Sequence, residues 1–342
     1  MRQSRYRERE AGRASPEEET PAARTLFDWH GTAGLGCEGP DADWRLRPVG
    51  ELLHGDATIR TTGSGLVVES GAHRAPGAPP EFGHATGPGG ADDHLKWCAL
   101  VERTAASGLP GFDAPESGEL TVTAWLAPRV FGAGRHPFGD AVTDSESDAR
   151  LAAGALIALD PYSGLVFDFF LTNRRIHAVY ERLYRPGDDR AAFSYLIPVA
   201  DRSPGDGEGD RGHLLEIAFE RSAGTVTWRV DGKQVLRVGR LGCRSLGREH
   251  LAIDHGGVER PVVPRQLVFG LGLFTLLDAA GPDGRGLVRL SPDPDHYVDP
   301  ALDDPVPQRF WDEHGRRRHR LWGQGVRLTA RRLTVAVRPA LT

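Results

Sequence analysis

The stretch His213–Val238, HLLEIAFERSAGTVTWRVDGKQVLRV, decides the fold of this chain of 342 residues. Every second residue from Leu215 to Phe219 is apolar, which is the period of a half-buried strand. We expect tight turns at Ser222–Gly224 and at Asp231-Gly232, because Asp-Gly supplies the positive φ angles that a type I′ hairpin turn needs. The stretch therefore predicts consecutive antiparallel strands.

Similar short runs recur along the chain and are separated by loops rich in Gly and Pro, of which the sequence has 43 and 25. Helix is expected only as short pieces, with Val306–His314 as the best candidate. About ten to fourteen short strands and little helix predict an all-β fold, a two-sheet antiparallel jelly-roll sandwich with long loops. The predicted strands are Gly65–Glu69, Leu120–Ala127, Leu151–Leu159, Leu165–Leu171, Arg175–Arg182, Ala192–Val199, 213–220, 225–238, Gln266–Leu276 and Arg331–Arg338.

The domain organisation follows from composition. Residues 1–24 are rich in Arg, Glu, Ala and Pro and poor in large apolar side chains, so they are predicted to form a disordered tail. Residues 25–342 are predicted to form a single β-sandwich domain. Within it, Gly71–Gly90 is a long Pro/Gly loop of the kind that often serves function.

Charge, cysteine content and hydropathy restrict the partners. The net charge of −5 argues against nucleic-acid binding, which needs clustered excess cations. No apolar run approaches the roughly 20 residues of a membrane span, and the charged N-terminus lacks a secretory hydrophobic region, so we expect a cytoplasmic protein. The three cysteines are scattered and predict neither a disulfide framework nor a cysteine-based zinc site.

Several segments resemble one fold family. Phe27-Asp28-Trp29, Leu66-Val67-Val68, Asp93-His94-Leu95-Lys96 and the opening stretch look like the concanavalin A-like lectin/glucanase jelly roll. That resemblance implies one sheet with a concave face that holds ligands. A closer likeness, over about residues 25–340, is to uncharacterised actinobacterial proteins of this fold. It is carried by His136–Gly139, Asp148–Leu151 and Leu165–Leu183.

One departure from the glucanases of this superfamily limits the resemblance. Those enzymes carry alternating carboxylates on one strand, whereas no E-x-D-x-E or E-x-D-x-x-E occurs here. Glu216 and Glu220 are four residues apart, which is about 13 Å along a strand. A retaining mechanism needs two carboxyl groups roughly 5–5.5 Å apart, so we exclude it for this strand.

The densest polar cluster in an apolar context runs from Asp168 to Arg182. Asp168 lies inside LVFDFFL, where a carboxylate is costly to bury unless it is paired. We interpret Asp168 or Glu181 as the acid/base of a catalytic site, with His177 and Tyr180 as hydrogen-bonding partners. Asn173 and Arg182 are candidate substrate contacts. The structural alternative is an ion pair of Asp168 with Arg182 or Arg175.

Other candidates lie outside this cluster. Trp125 and Trp228 could stack on a ligand in the cleft or pack in the core, and His136 is a candidate rim residue. The acidic loop with Asp140, Asp144, Glu146 and Asp148 has no strict calcium-loop pattern, so no metal or other cofactor is predicted, with a structural Ca²⁺ as the alternative. Asp254-His255-Gly256-Gly257 places an imidazole beside flexible backbone, but no G-x-S-x-G elbow accompanies it.

These features leave three classes of function. The first, which we favour, is a cofactor-independent enzyme of actinobacterial specialised metabolism, a cyclase, isomerase or hydrolase. It would act on a hydrophobic or glycosylated small molecule in the concave face. The second is a lectin-like module that binds carbohydrate without catalysis. The third is a partner-binding sandwich. An enzyme predicts a closed, largely apolar cavity, and a lectin predicts an open groove with exposed aromatic residues.

Overall fold

Nineteen strands occur among the residues that the computed structural model describes, which are 23–71, 75, 77–85, 94–203, 211–302 and 304–340. They are β1 Arg24–His30, β2 Trp44–Leu46, β3 Ala57–Thr62, β4 Gly65–Ser70, β5 Leu95–Val101, β6 Phe112–Asp113, β7 Glu119–Phe131, β8 Ala153–Asp160, β9 Leu165–Leu171, β10 Arg175–Arg182, β11 Phe193–Asp201, β12 His213–Glu220, β13 Thr225–Val230, β14 Lys233–Val238, β15 Leu251–Asp254, β16 Gln266–Phe274, β17 Gly286–Val288, β18 Phe310–Asp312 and β19 Gly325–Arg338.

Seventeen of these strands form two large antiparallel sheets, which confirms the predicted two-sheet sandwich, and β17 and β18 pair separately. Sheet I has the order β14-β13-β12-β7-β19-β4-β3, with β1 also paired to β19. Sheet II has the order β15-β11-β10-β9-β8-β16-β5-β2, with β6 paired to β16. Because neighbouring side chains of a strand point to opposite faces, each sheet turns alternate residues toward the other sheet and forms a continuous core.

The opening stretch folds as predicted. Leu215 and Phe219 face the core and are fully buried. Gly224 ends the first turn with φ +60°, and Asp231 and Gly232 have φ 49° and 79° in the second, as a type I′ turn requires.

The outer face of sheet II, turned away from sheet I, carries a second layer. A cover segment, formed by residues 275–302 and 304–312, crosses this face. The backbone N–H of Leu276 donates to the carbonyl of Arg150 at 2.9 Å, and that of Ala280 to the carbonyl of Ala252 at 2.6 Å. Tyr297 packs with Phe170 and Val179 into a second apolar cluster beneath the segment. Polar groups on this face are therefore shielded from bulk water.

Two predictions need correction or lie beyond the described residues. The helix expected at Val306–His314 is wrong, because Phe310–Asp312 pairs in parallel with Gly286–Val288. Among the described residues the one α-helix is Arg317–Arg320, and none is long and apolar enough to cross a bilayer. The predicted tail lies outside the described ranges up to residue 22, as do residues 72–74, 76 and 86–90 of the predicted loop.

Candidate functional site

The predicted catalytic residues divide between the two faces of sheet II. Asp168, His177 and Glu181 point to the outer face, whereas Tyr180 and Arg182 point into the sandwich, because adjacent strand residues alternate. The Tyr180 hydroxyl donates to the Cys243 carbonyl at 3.0 Å and accepts the Gly242 N–H at 2.8 Å. Tyr180 therefore serves the core, and its proposed role beside Glu181 is corrected.

Three predicted substrate contacts have structural roles instead, and the fourth, Trp125, lies on the other sheet. The Arg182 guanidinium donates to the carbonyls of Gly242 and Arg260. Asn173 bonds both backbone groups of Val130. Trp228 is buried between the sheets. Trp125 lies on the outer face of sheet I, with the Arg331 guanidinium 3.7 Å from its ring centroid, so it cannot reach a ligand on sheet II.

The remaining rim candidate, His136, packs on Phe138 with ring centroids 6.0 Å apart. Its Nδ1 accepts the Phe138 N–H at 3.2 Å. Burial lowers the pKa of His136. The imidazole lies near Asp148 and Arg150, and its rim role stays a prediction.

Asp168 is held by the backbone and not by an arginine. Its Oδ1 accepts the Ala158 N–H at 2.9 Å, and burial, helped by the nearby Glu181, raises its pKa well above the usual range. The predicted ion pair is wrong, since Arg182 faces the core and Arg175 pairs with Asp201 at 3.2 Å.

The Glu181 carboxyl group, also on this face, lacks a structural partner among the described residues. It is only partly buried, and among the described residues none forms a hydrogen bond or ion pair with it. Ser194 stands opposite it on β11, with a buried Oγ that finds no hydrogen-bond partner within the described ranges. Burial raises the pKa of Glu181 to about 7; His94 opposes this rise and Asp278 adds to it.

A second polar group reaches the same region from outside the strands. His94 Nε2 lies 2.7 Å from Asp278 Oδ1, and the Tyr297 hydroxyl donates to Asp278 Oδ2 at 2.9 Å. Burial alone would raise the pKa of Asp278, but His94 and Tyr297 together lower it. Asp278 is therefore ionised at neutral pH and fixes the position of the His94 imidazole.

Aromatic rings border this polar group. Tyr184, His255 and His296 lie in mutual contact, with centroid separations of 4.4 to 5.1 Å, and Tyr184 is 38% exposed. His255 Nδ1 lies 2.6 Å from the His296 carbonyl, and burial lowers the pKa of His255 to about 4. His255 is thus neutral at pH 7, and its Nδ1–H donates to that carbonyl.

The site does not have the composition of a metal centre. In the part of the chain that the structure describes, no group of three or more His, Cys, Asp or Glu could hold an ion. The carboxylates of the acidic loop already have hydrogen-bond partners in the protein. Asp148 binds Arg150, Asp144 accepts from Ser147, and Glu146 accepts from Asn173. A structural Ca²⁺ gains no support from these contacts.

Fold and site together define a β-sandwich protein with a covered polar face that bears a carboxyl group of raised pKa. The chain belongs to the family of unknown function DUF6081, whose model matches residues 27–339. It is 30% identical over 216 residues to the uncharacterized protein L829 of Acanthamoeba polyphaga mimivirus. The match covers 47% of each chain, so the chain spans about half the length of that relative.

Solved structures with a similar arrangement of strands have low identity. An endo-1,3-beta-glucanase from Streptomyces sioyaensis is 12% identical with a TM-score of 0.43, over 95% of this chain and 99% of the other. The catalytic domain of a laminarinase from Thermotoga petrophila is 11% identical with a TM-score of 0.39, over 92% and 98%. Likeness this distant carries no activity over to this chain.

Proposed function

We propose that this protein is an enzyme that performs acid–base chemistry on a carbohydrate or glycosylated small molecule at the Glu181 end of the outer face. The observation that supports the proposal is the Glu181 carboxyl group, partly exposed and without a partner among the described residues. A carboxyl group left unpaired in a desolvated position costs free energy, and such groups concentrate at functional sites.

The chemistry follows from two groups that can transfer protons, Glu181 and His94. With a pKa near 7, Glu181 is partly protonated at neutral pH and can give a proton to a leaving oxygen. The His94 imidazole, oriented by the ionised Asp278, supplies the second proton-transfer group. Hydrolysis of a glycosidic bond needs such an acid and base, and so does isomerisation, but hydrolysis is the reaction we test first.

A sugar substrate suits the bordering rings. The cluster of Tyr184, His255 and His296 offers an exposed aromatic edge beside polar groups, and sugar rings pack well on aromatic faces. The same edge would also suit a lectin without catalysis, which is the alternative. In an enzyme, substitution of Glu181 should change turnover, whereas in a lectin it should change only binding.

The test compares Glu181→Gln with wild type on a panel of oligosaccharides, with release of reducing ends as the measurement. As general acid, Glu181 should contribute about 10²–10⁴-fold, so the variant should lose that much activity. Aryl glycosides with a nitrophenol leaving group need no protonation, and the loss on them should be much smaller. Glu220→Gln, the same substitution on sheet I, is the matched control. Equal turnover by Glu181→Gln and Glu220→Gln, or binding without any turnover in wild type, would contradict the proposal.

A further inference from the structure

A β-bulge in β19 turns two successive arginines toward the outer face of sheet I. The register of β19 with β7 shifts between Ala330 and Arg332, so that Arg331 is the extra residue. Ala330 and Leu333, on either side of the two arginines, are fully buried in the core, whereas Arg331 and Arg332 are exposed. Bulges redirect side chains and are frequent beside functional sites.

Arg331 is held in place by an aromatic ring. Its guanidinium carbon lies 3.7 Å from the centroid of the Trp125 ring. The backbone at Gly212 packs against the same ring, since a Cβ there would lie 2.1 Å from Trp125 Cζ2. A guanidinium stacked on an aromatic ring keeps its in-plane N–H donors available for a carboxylate. The contact therefore prepares Arg331 to bind a planar anion.

The carboxylates on the strands of sheet I do not neutralise this guanidinium, because each of them pairs with another arginine. The pairs are Asp28 with Arg332, Glu69 with Arg327, Glu119 and Glu216 with Arg229, and Glu220 with Arg237. Among the described residues, no carboxylate forms an ion pair with Arg331 or with Arg129. The outer face of sheet I thus carries two guanidinium groups that are free to attract an anion.

The two free guanidinium groups are separated along the sheet by a hydroxyl group. Arg129 lies on β7 opposite Arg327, with its guanidinium 5.3 Å from the centroid of the Phe131 ring. Arg331 follows Arg327 by four residues, which is about 13 Å along a strand. Thr329 lies midway on the same face, is half-buried, and makes no hydrogen bond through its hydroxyl with the described residues. The order along the sheet is therefore guanidinium, hydroxyl, guanidinium.

We propose that the outer face of sheet I binds a linear glycan with a uronic acid at every second sugar. Its carboxylates pair with Arg331 and Arg129, and the neutral sugar between them bonds the Thr329 hydroxyl. This site lies on the other sheet from Glu181, so it does not depend on the proposed function.

A nucleic-acid strand fits the same surface less well. One phosphate occurs about every 3.4 Å along a strand, so about four phosphates would cover the distance between the two free guanidinium groups. Two arginines would leave most of those phosphates without a partner. The carboxylates of Glu69 and Asp28, on the same face, would repel them.

Isothermal titration calorimetry on the wild-type protein tests the proposal. The ligands are a hexasaccharide of alternating glucuronate and N-acetylglucosamine, the carboxyl methyl ester of that hexasaccharide, hexaglutamate and hexauridylate. The acid should bind at least about fivefold more tightly than its uncharged ester and more tightly than the other two anions. Its advantage over the ester should shrink as salt rises from about 0.05 M to about 0.5 M. Equal binding of acid and ester, tighter binding of hexaglutamate or hexauridylate, or no binding would overturn the proposal.

Substitutions then locate the binding. Arg129→Gln and Arg331→Gln should each weaken binding of the acidic hexasaccharide about two- to fivefold, and the double variant by about the product of the two effects. Arg45→Gln, the same change at an exposed arginine of β2 in sheet II, is the matched control and should leave binding unchanged. Variants at Arg129 and Arg331 that bind as tightly as Arg45→Gln would place the glycan elsewhere and overturn the proposal.

Discussion

At the scale of single residues, Asp168 and Glu181 show how neighbouring strands of one face give two carboxyl groups different roles. The register of β8 with β9 passes from Leu156–Phe169 to Leu159–Val166, and between these pairs the Asp168 side chain accepts the Ala158 N–H. Asp168 thus replaces a missing ladder bond. Glu181 makes no such hydrogen bond with the described backbone.

Asp168→Asn should keep the fold intact, because the amide oxygen can accept the same N–H, and because burial, which raises the pKa of this carboxyl group, disfavours its charged form. Asp168→Ala should lower the free energy of unfolding by about 1–3 kcal/mol, since it leaves a buried N–H unpaired. Urea unfolding of both variants measures the difference. Equal destabilisation by Asn and Ala would contradict this role.

Glu181 should make stability depend on pH. Its folded pKa of about 7 exceeds the ordinary glutamate value of 4.5, so the folded state binds the proton more tightly than the unfolded state. The contribution to stability is full below about pH 4.5 and is lost as pH rises to about 7. Relative to wild type, Glu181→Gln should gain up to about 3 kcal/mol over this range. Urea unfolding of both proteins at pH 5, 6, 7 and 8 measures this difference in the free energy of unfolding. A difference that stays constant with pH would refute the prediction.

The alternation of side chains along a strand could have shown that the predicted site residues lie on two different faces. Within the strand Arg175–Arg182, His177 and Glu181 share one face and Tyr180 and Arg182 the other, so the four could not converge. His94 and Asp278 are 184 residues apart in sequence and meet through loops. No local sequence pattern predicts this contact. His255 and the segment around His94 stand out in the sequence for other reasons.

At the scale of elements, periodicity predicted the strands that alternate cleanly. The bounds of Leu165–Leu171, Arg175–Arg182 and His213–Glu220 are those of the structure. The failed helix at Val306–His314 has a mixed apolar and polar pattern that suits a helix locally. Its pairing with Gly286–Val288 is a tertiary contact, which overrides local propensity.

Gly270 and Gly272 of β16 lie where a side chain would clash with close neighbours. A Cβ at Gly270 would lie 2.3 Å from the Ala99 carbonyl oxygen of the neighbouring strand. Gly270→Ala should therefore lower the free energy of unfolding by about 1–3 kcal/mol through backbone displacement. Thermal unfolding measures it, with Gly63→Ala as a control, since a Cβ there meets nothing within 4 Å. Equal melting temperatures for the two variants would contradict this prediction, because β5 could then move aside at no cost in free energy.

At the scale of the whole molecule, Trp228 joins the two sheets. It stands on β13 of sheet I, is fully buried, and donates its indole N–H to the Asp168 carbonyl of sheet II at 3.0 Å. Trp228→Phe should cost about 2–3 kcal/mol from lost volume and an unpaired carbonyl. Trp125→Phe, on the outer face of sheet I, should cost less than about 1 kcal/mol. Chemical denaturation compares them, and similar losses would count against a bridge between the sheets.

Strand β19 lies at the centre of sheet I, paired with β7 along one side and with β4 and β1 along the other. Contacts that join residues 24–30 to residues 332–337 span nearly the full described chain. During synthesis, residue 338 must leave the ribosome before β19 is complete. Until then, the edges of β1, β4 and β7 that pair with β19 have no partner strand. High contact order of this kind makes folding slow and exposes strand edges to neighbouring chains. We therefore expect nascent copies to depend on chaperones until the last strand arrives.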